Sequence, residues 1–218
     1  MEQVQEQRRY SWREYLSWPE WERYELIDGV AYAMSPAPRR RHQEIAGELF
    51  HQIYAQMRER DCSVFPAPFD VKLSDDRHDQ TPTVVQPDIT VSCDPTKLTE
   101  QGMTGAPDLV VEIVSPESGL IDRGRKFELY RRYGVREYWI VDQDERLVEV
   151  YLLESSEASN TRAGATARAG AGTGTGKSAE DQGVFRRDAV YGPADTLRAS
   201  AVSELSIDLS EVFPPISQ

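Results

Sequence analysis

The chain has 218 residues, 39% of them hydrophobic and 9% aromatic, enough to bury the core of one generous domain and too apolar for disorder throughout. Asp and Glu number 37 against 25 Lys and Arg, a net charge of -12, which excludes a protein that coats polyanions over its whole surface; contact with nucleic acid would need a local basic patch. Residues 1–9 are polar with no apolar stretch behind them, and no window approaches about 18 consecutive apolar residues, so a cytoplasmic protein without a membrane span is expected.

Residues 11–18 form a short aromatic amphipathic piece. Two apolar runs, 24–27 and 30–34, flank Asp28-Gly29, which predicts a hairpin because both central positions of the favoured turn take positive φ. Residues 39–60 read as a helix: at about 100° per residue, Ile45, Ala46, Leu49, Ile53 and Met57 share one stripe, with Glu44 and Glu48 opposite. Strands are expected at 63–66, 69–73 and 84–92, with a polar loop at 74–82, and the strongest strand signal falls at 108–115. Residues 119–133 read as a helix closed by Gly134, and 137–142 as a further strand. Strand, helix and strand of these lengths make a βαβ unit with parallel strands. Strands at 146–153 and 184–190 flank residues 154–183, whose Ala, Gly, Ser and Thr cannot bury apolar area and predict a flexible insertion across a hairpin. Residues 196–213 are expected to complete a sheet edge. The expectation is a single α/β domain over residues 1–218 with a mixed central sheet and helices on both faces.

Cys62 and Cys93 stand far apart with no CxxC pair, which argues against a zinc knuckle or a disulfide framework and predicts two free thiols in a reducing compartment. The insertion carries Ala171-Gly172-Thr173-Gly174-Thr175-Gly176-Lys177-Ser178, a relaxed phosphate-loop pattern. It has neither the strand in front nor the helix behind that would aim its amides at phosphate, so it reads as linker, and a nucleotide-dependent enzyme using Lys177 is a remote alternative.

The run Leu109-Val110-Val111-Glu112-Ile113-Val114 is apolar on both faces of a strand, with Glu112 its only charge. A carboxylate there demands a cation, hydrogen bonds or a proton; a purely structural pairing to a buried Arg or Lys meets that demand as well as a catalytic role does. Gln86-Pro87-Asp88 places Asp88 at the mouth of another strand. If the two strands are neighbours, Asp88 and Glu112 can share a divalent ion, which takes oxygen ligands and retains waters. Asp108 is four residues from Glu112, about 13 Å along a strand, and reads as a strand-start residue.

On the following helix Asp122 and Lys126 stand one turn apart. With Phe127 at the centre of the buried stripe, Lys126 projects between Tyr130 and Tyr133 at the core edge, while Arg125, Glu128 and Arg132 face water. An Asp122–Lys126 intrahelical pair is the bland alternative. Two carboxylates on adjacent strands and a lysine reaching them suit metal-dependent phosphodiester hydrolysis, with Arg123, Arg131 and Arg136 available for phosphate. Ser115 lacks a nucleophile-elbow context and a histidine partner.

These residues carry a resemblance. Gln86-Pro87-Asp88; Gly105 through Ser118, with Pro107-Asp108, Glu112 and Pro116-Glu117-Ser118; then Asp122, Lys126, Tyr130; and Gly134-Val135-Arg136-Glu137-Tyr138-Trp139-Ile140-Val141-Asp142 together resemble the Uma-two family of restriction-endonuclease-like proteins. Tyr24-Glu25-Leu26-Ile27-Asp28-Gly29 and Met34-Ser35-Pro36-Ala37 are similar to that family's opening. The likeness spans roughly residues 10–153 and resumes over 191–213, leaving out the insertion.

The resemblance implies the PD-(D/E)XK nuclease superfamily: an αβββαβ core, Mg (or Mn) dependence and DNA as substrate. Asp88 matches the first acidic position and Glu112 the second, both as metal ligands. Val114 stands where the superfamily has lysine, and the resemblance assigns that role to Lys126, completing a catalytic set of Asp88, Glu112 and Lys126; the Val114 carbonyl is a further candidate ligand. His42, within the helical stripe of residues 39–60, reads as a core or capping histidine near the site. The rival expectation is a catalytically degenerate module that keeps the nuclease scaffold and binds nucleic acid or protein. Double-strand cutting would favour a two-fold homodimer, one site meeting each antiparallel strand.

Overall fold

The computed structural model describes residues 8–19, 23–34, 38–73, 82–114, 121–155 and 183–214, with the backbone alone for 121–123. In chain order the elements are α1 (Trp12–Tyr15), β1 (Tyr24–Ile27), β2 (Val30–Ala33), α2 (Arg40–Met57), β3 (Ser63–Pro66), β4 (Val71–Lys72), β5 (Val84–Val85), β6 (Ile89–Ser92), β7 (Leu98–Thr99), β8 (Gly102–Thr104) and β9 (Leu109–Val114). A π-helical segment (Ile121–Lys126) runs into α3 (Phe127–Tyr133), followed by β10 (Glu137–Asp142), β11 (Leu147–Glu154), β12 (Val184–Tyr191), β13 (Thr196–Arg198), β14 (Ser206–Asp208) and α4 (Leu209–Val212).

These strands build two six-stranded mixed sheets, ordered β2-β1-β5-β4-β8-β7 and β12-β11-β10-β9-β6-β3, and a separate pair, β13-β14. The Asp-Gly hairpin forms as expected, with φ of 50° at Asp28 and 81° at Gly29. The parallel βαβ pair is β9 and β10, in register from Leu109↔Glu137 to Val114↔Asp142. Gly134 closes α3 in the left-handed conformation, its N–H bonding the Tyr130 carbonyl.

β9 is buried at all six positions because each face of its sheet meets a separate core. On one face Ile89, Val91, Leu109, Val111 and Trp139 meet Ile45, Leu49, Ile53 and Met57, the i, i+4 stripe of α2. On the other, Val110, Val114, Tyr138 and Ile140 meet Leu129 and Tyr130 of α3 together with Ile27, Val71, Val85 and Met103 of the first sheet. The second core is therefore filled from both sheets and α3.

The structure corrects the sequence reading in three places. Residues 84–92 are two strands in different sheets, β5 and β6, and the chain crosses between sheets at Gln86-Pro87-Asp88, where proline has no N–H to extend a ladder. Residues 196–213 do not extend a large sheet. Gln52 and Gln56 of α2 instead pair with the β14 backbone through amide bonds to Asp208 and Ser206, fixing β13-β14 and α4 over the first core. Cys62 and Cys93 are joined in a disulfide. They lie 31 residues apart in sequence but one step beyond the Ser63↔Ser92 pair of β3 and β6, so register brings them together, and the premise of free thiols in a reducing compartment is withdrawn. The phosphate-loop pattern with Lys177, and the insertion except for its flanks, lie outside the described residues. Among the described residues no helix is long and apolar enough to cross a membrane.

Candidate active site

Lys126 ends the π-helical segment and reaches into the space between the two large sheets. Its side chain is 7% exposed, and its Nζ lies 2.9 Å from Glu112 Oε1 on β9 and 3.0 Å from Glu25 Oε1 on β1. The carboxylates are as deeply placed, 8% exposed at Glu25 and 5% at Glu112. One turn beyond Lys126, the Tyr130 hydroxyl donates to the same Glu112 oxygen at 2.7 Å. Burial, and then the charge of Glu112, push the Tyr130 phenol well above its ordinary value, so it stays a donor.

Glu25 is fixed in turn by the backbone N–H of Gln86, which donates to its Oε1 at 3.0 Å. The Gln86 amide donates to Asp70 Oδ1 at 2.8 Å, and the Tyr15 hydroxyl donates to that oxygen at 2.9 Å. Burial and Asp70 raise the Tyr15 phenol far above its usual range. The sheet-crossing segment thus carries a hydrogen-bonded chain from α1 to the lysine.

Asp88, at the other end of that segment, opens β6. β6 and β9 pair antiparallel through Ile89↔Val111, and one further step of that register sets Asp88 opposite Glu112. The Asp88 carboxylate turns along the strand end, accepting from Ile113 N at 2.8 Å, and its Oδ2 lies 3.3 Å from His42 Nε2 in the first turn of α2.

Of the residues singled out from sequence, the structure joins Lys126 directly to Glu112 and sets Asp88 immediately before the neighbouring strand β6. His42, read as a core or capping residue, contacts Asp88. Asp108 turns elsewhere, accepting from Cys93 N at 2.8 Å and from Arg136 at 2.9 Å, in keeping with a strand-start role. Arg131 is engaged by Glu128 and by the Gly183 carbonyl. Arg132, expected to face water, is half-buried because its guanidinium bonds Asp28 in the hairpin turn. The side chains of Asp122 and Arg123 lie outside the described residues. Sequence reasoning missed Glu25 and Tyr130. Glu25 is the sole charge in Tyr24-Glu25-Leu26-Ile27, the signal that exposed Glu112, and Tyr130 stands four residues after Lys126 on the same helical face.

Among the described residues no three His, Cys, Asp or Glu side chains converge closely enough to hold a metal by themselves. The donor chemistry nonetheless suits a hard divalent ion. Glu25 and Glu112 share one ammonium in a buried place, and Asp88 precedes the strand beside Glu112; magnesium is held by one or two carboxylates with its remaining positions given to water and phosphate.

Two mixed sheets flanked by helices, with an acidic pair on neighbouring strands and a helix-borne lysine, define a restriction-endonuclease-like α/β protein. Residues 12–171 match the family described as "Putative restriction endonuclease" (Uma2), and the chain belongs to that family. It is similar to "Uncharacterized protein slr1290" of Synechocystis sp., at 29% identity over 141 residues that cover 63% of this chain and 71% of the relative. Its fold is similar to a crystal structure described as "a putative nuclease belonging to DUF820" from Anabaena variabilis, with a TM-score of 0.60 and 20% identity over 93% of this chain and 97% of that one.

Proposed function

We propose that the protein is a metal-dependent endonuclease that hydrolyses DNA phosphodiester bonds, with Asp88 and Glu112 holding Mg (or Mn) and Lys126 as the catalytic cation. The observation that carries this reading is the Lys126 ammonium, held against Glu112 at 2.9 Å beside the strand end that bears Asp88. A bound divalent ion would polarise the phosphoryl oxygen and lower the pKa of its water. Lys126 contributes a fixed positive charge beside Glu112, placed to orient the attacking water and to stabilise negative charge developing on phosphate. Glu25 and Tyr130 hold that charge in place: Glu25 fixes the ammonium from the other sheet, and Tyr130 fixes the Glu112 oxygen that faces it. Cutting both strands of a duplex with one site per chain would use a two-fold dimer.

The test is cleavage of supercoiled plasmid by the parent and by Glu112→Gln in Mg and in Mn, with circular dichroism to confirm folding. Glutamine keeps the acceptor for Tyr130 and removes the charge, so the variant should fold and lose cleavage. A folded variant that cuts at the parent rate refutes the assignment.

A second reading is a non-catalytic binding module on the same scaffold. It is favoured by one observation: Glu112 Oε1 already accepts from both Lys126 and Tyr130, as a purely structural centre would. Calorimetry separates the two. Mn binding lost on Asp88→Ala supports the enzyme, and a parent that binds no Mn supports the module.

A further inference from the structure

We propose that the aromatic surface around α1 binds single-stranded DNA, with Trp12 stacking on an unpaired base and Lys72 meeting a neighbouring phosphate. The inference rests on the preceding reading only in taking DNA as the polymer, and it adds the form in which a strand is held and the residues that hold it.

Tyr10, Trp12, Tyr15, Trp18 and Tyr24 pack on one another, with ring centroids 5.0 to 5.4 Å apart. Among the described residues both large cores are filled by other side chains, and α1 buries none of its own. Leu16, beside these rings, is 49% exposed. What fixes α1 is polar: Ser11 and Glu14 each accept from the other's backbone N–H, and the Tyr15 hydroxyl donates to Asp70. A contiguous surface of half-exposed rings that neither core requires marks a place where a ligand docks.

Charge then chooses the ligand. Lys72 Nζ, on β4, stands 5.4 Å from the centre of the Trp12 ring, and the Arg8 guanidinium 4.7 Å from that of Tyr10. Residues 8–13 hold three arginines and no acid in a chain of net charge -12, which is the local basic patch that contact with DNA requires. Arg13 is exposed, and Arg8 pairs with Glu14 where the two side chains are 70% and 43% exposed, so exchanging that partner for a phosphate costs little. Ring faces set beside cations are what holds a single strand, the bases stacking while the backbone is neutralised. A duplex keeps its base faces inside its own stack, so such a surface selects an unpaired strand. Trp12 lies at the end of the ring contacts. Its plane is 15° from that of Tyr15 with centroids 5.4 Å apart, an offset stack in which each ring covers only part of the other. Tyr15 also ties this surface to the candidate site, through Asp70, Gln86 and Glu25 to Lys126.

The experiment follows the fluorescence anisotropy of a labelled oligothymidylate of about twelve nucleotides as the full chain is added in EDTA. A labelled abasic strand, a duplex and an oligouridylate of the same length are titrated alongside, and circular dichroism checks the folding of each variant. The parent should bind oligothymidylate at least about tenfold more tightly than the abasic strand or the duplex. Trp12→Ala should lose about tenfold for oligothymidylate with little change for the abasic strand, and Trp12→Phe should recover most of that loss. Lys72→Gln should reduce the slope of log affinity against log salt by about 0.7 while keeping the preference for bases. Equal parent affinity for the thymidylate and abasic strands, or tighter binding of the duplex, overturns the proposal whatever the variants do, as does a folded Trp12→Ala that binds like the parent. Tighter binding of oligouridylate than of oligothymidylate overturns the choice of DNA. Because no metal is present, a parent that binds as expected but cuts no plasmid refutes the endonuclease reading alone, and one that cuts plasmid but does not bind the strand overturns this inference alone.

Discussion

Lys126 holds apart two buried carboxylates from different sheets, and removing its charge while keeping its stem isolates what that charge does for the fold. At about 3 Å and an effective dielectric of about 20, each of its two ion pairs is worth about 5 kcal/mol of attraction, opposed by a desolvation penalty of several kcal/mol for each buried ion and by the repulsion between Glu25 and Glu112. The intact cluster therefore contributes little net stability, but breaking it does not return to zero. Lys126→Met retains the apolar stem and leaves two buried carboxylates facing each other, which should destabilise the protein by about 3–5 kcal/mol, a large part of a typical domain's stability of about 5–15 kcal/mol. Neutralising the partners should undo most of this loss. In Lys126→Met/Glu112→Gln/Glu25→Gln, the glutamine oxygens still accept from Tyr130 and Gln86 N while no buried charge remains. Urea unfolding at constant m-value measures both variants. A Lys126→Met penalty below about 1 kcal/mol, or a triple variant no more stable than Lys126→Met, would show that the three groups are not electrostatically coupled and would refute the reasoning.

Three other expectations follow from particular contacts. Gly102 has φ of 130°, and a Cβ built on it would stand 2.2 Å from the Asp70 carbonyl oxygen, so Gly102→Ala should lower stability by at least about 2 kcal/mol in thermal or urea unfolding and disturb the β4–β8 pairing. Reducing the Cys62–Cys93 disulfide, whose cysteines are 31 residues apart, should lower unfolding stability by about 3.7 kcal/mol, and Cys62→Ser/Cys93→Ser should match the reduced parent. Burial holds the Glu137 carboxyl above its ordinary value despite bonds from Ala201 N, Trp139 Nε1 and Ser200 N. Because its folded value is raised, the folded state retains that proton better than the unfolded chain; the stabilisation is complete at low pH and fades as pH rises through the folded value. Relative to Glu137→Gln, the parent should therefore lose stability as pH rises from the ordinary glutamate range through the raised folded value, by at most about 1.4 kcal/mol per pH unit, and a difference that does not change with pH would refute the argument.

Glu112 and Lys126 were legible because each breaks a local rule: one is the only charge in a strand apolar on both faces, the other a cation angled toward the buried side of its helix. Glu25 breaks the same rule in a run of only four residues, too short to establish that both faces are covered. The disulfide was hidden for a different reason. Cys62 and Cys93 meet only because Ser63 pairs with Ser92, and cross-strand register is set by tertiary packing rather than by sequence spacing. Pro87 was the available sign that residues 84–92 could not form one strand. What local pattern could not reveal was that the break carries the chain from one sheet to the other. Gln52 and Gln56 look like solvated helix residues in sequence, and their pairing with β14, about 150 positions later, has no local signature.

The sheet crossing at Gln86-Pro87-Asp88 also explains why the lysine comes from a helix. Val114 lies two residues after Glu112, on the same face of β9, and is 2% exposed in the core that both sheets share. An ammonium on that stem would have to displace Val114 from an apolar layer that contains Ile27, Val85 and Leu129. Arriving from the π-helical segment, Lys126 instead meets Glu112 from one sheet and Glu25 from the other, and Gln86 at the crossing holds Glu25 in place. π-Helical turns recur at functional sites, and here one delivers the cation to a position where both sheets present a carboxylate. The lysine's position, the crossing and the second carboxylate form a single electrostatic arrangement, so moving the lysine from 126 to 114 would leave Glu25 buried without its ammonium.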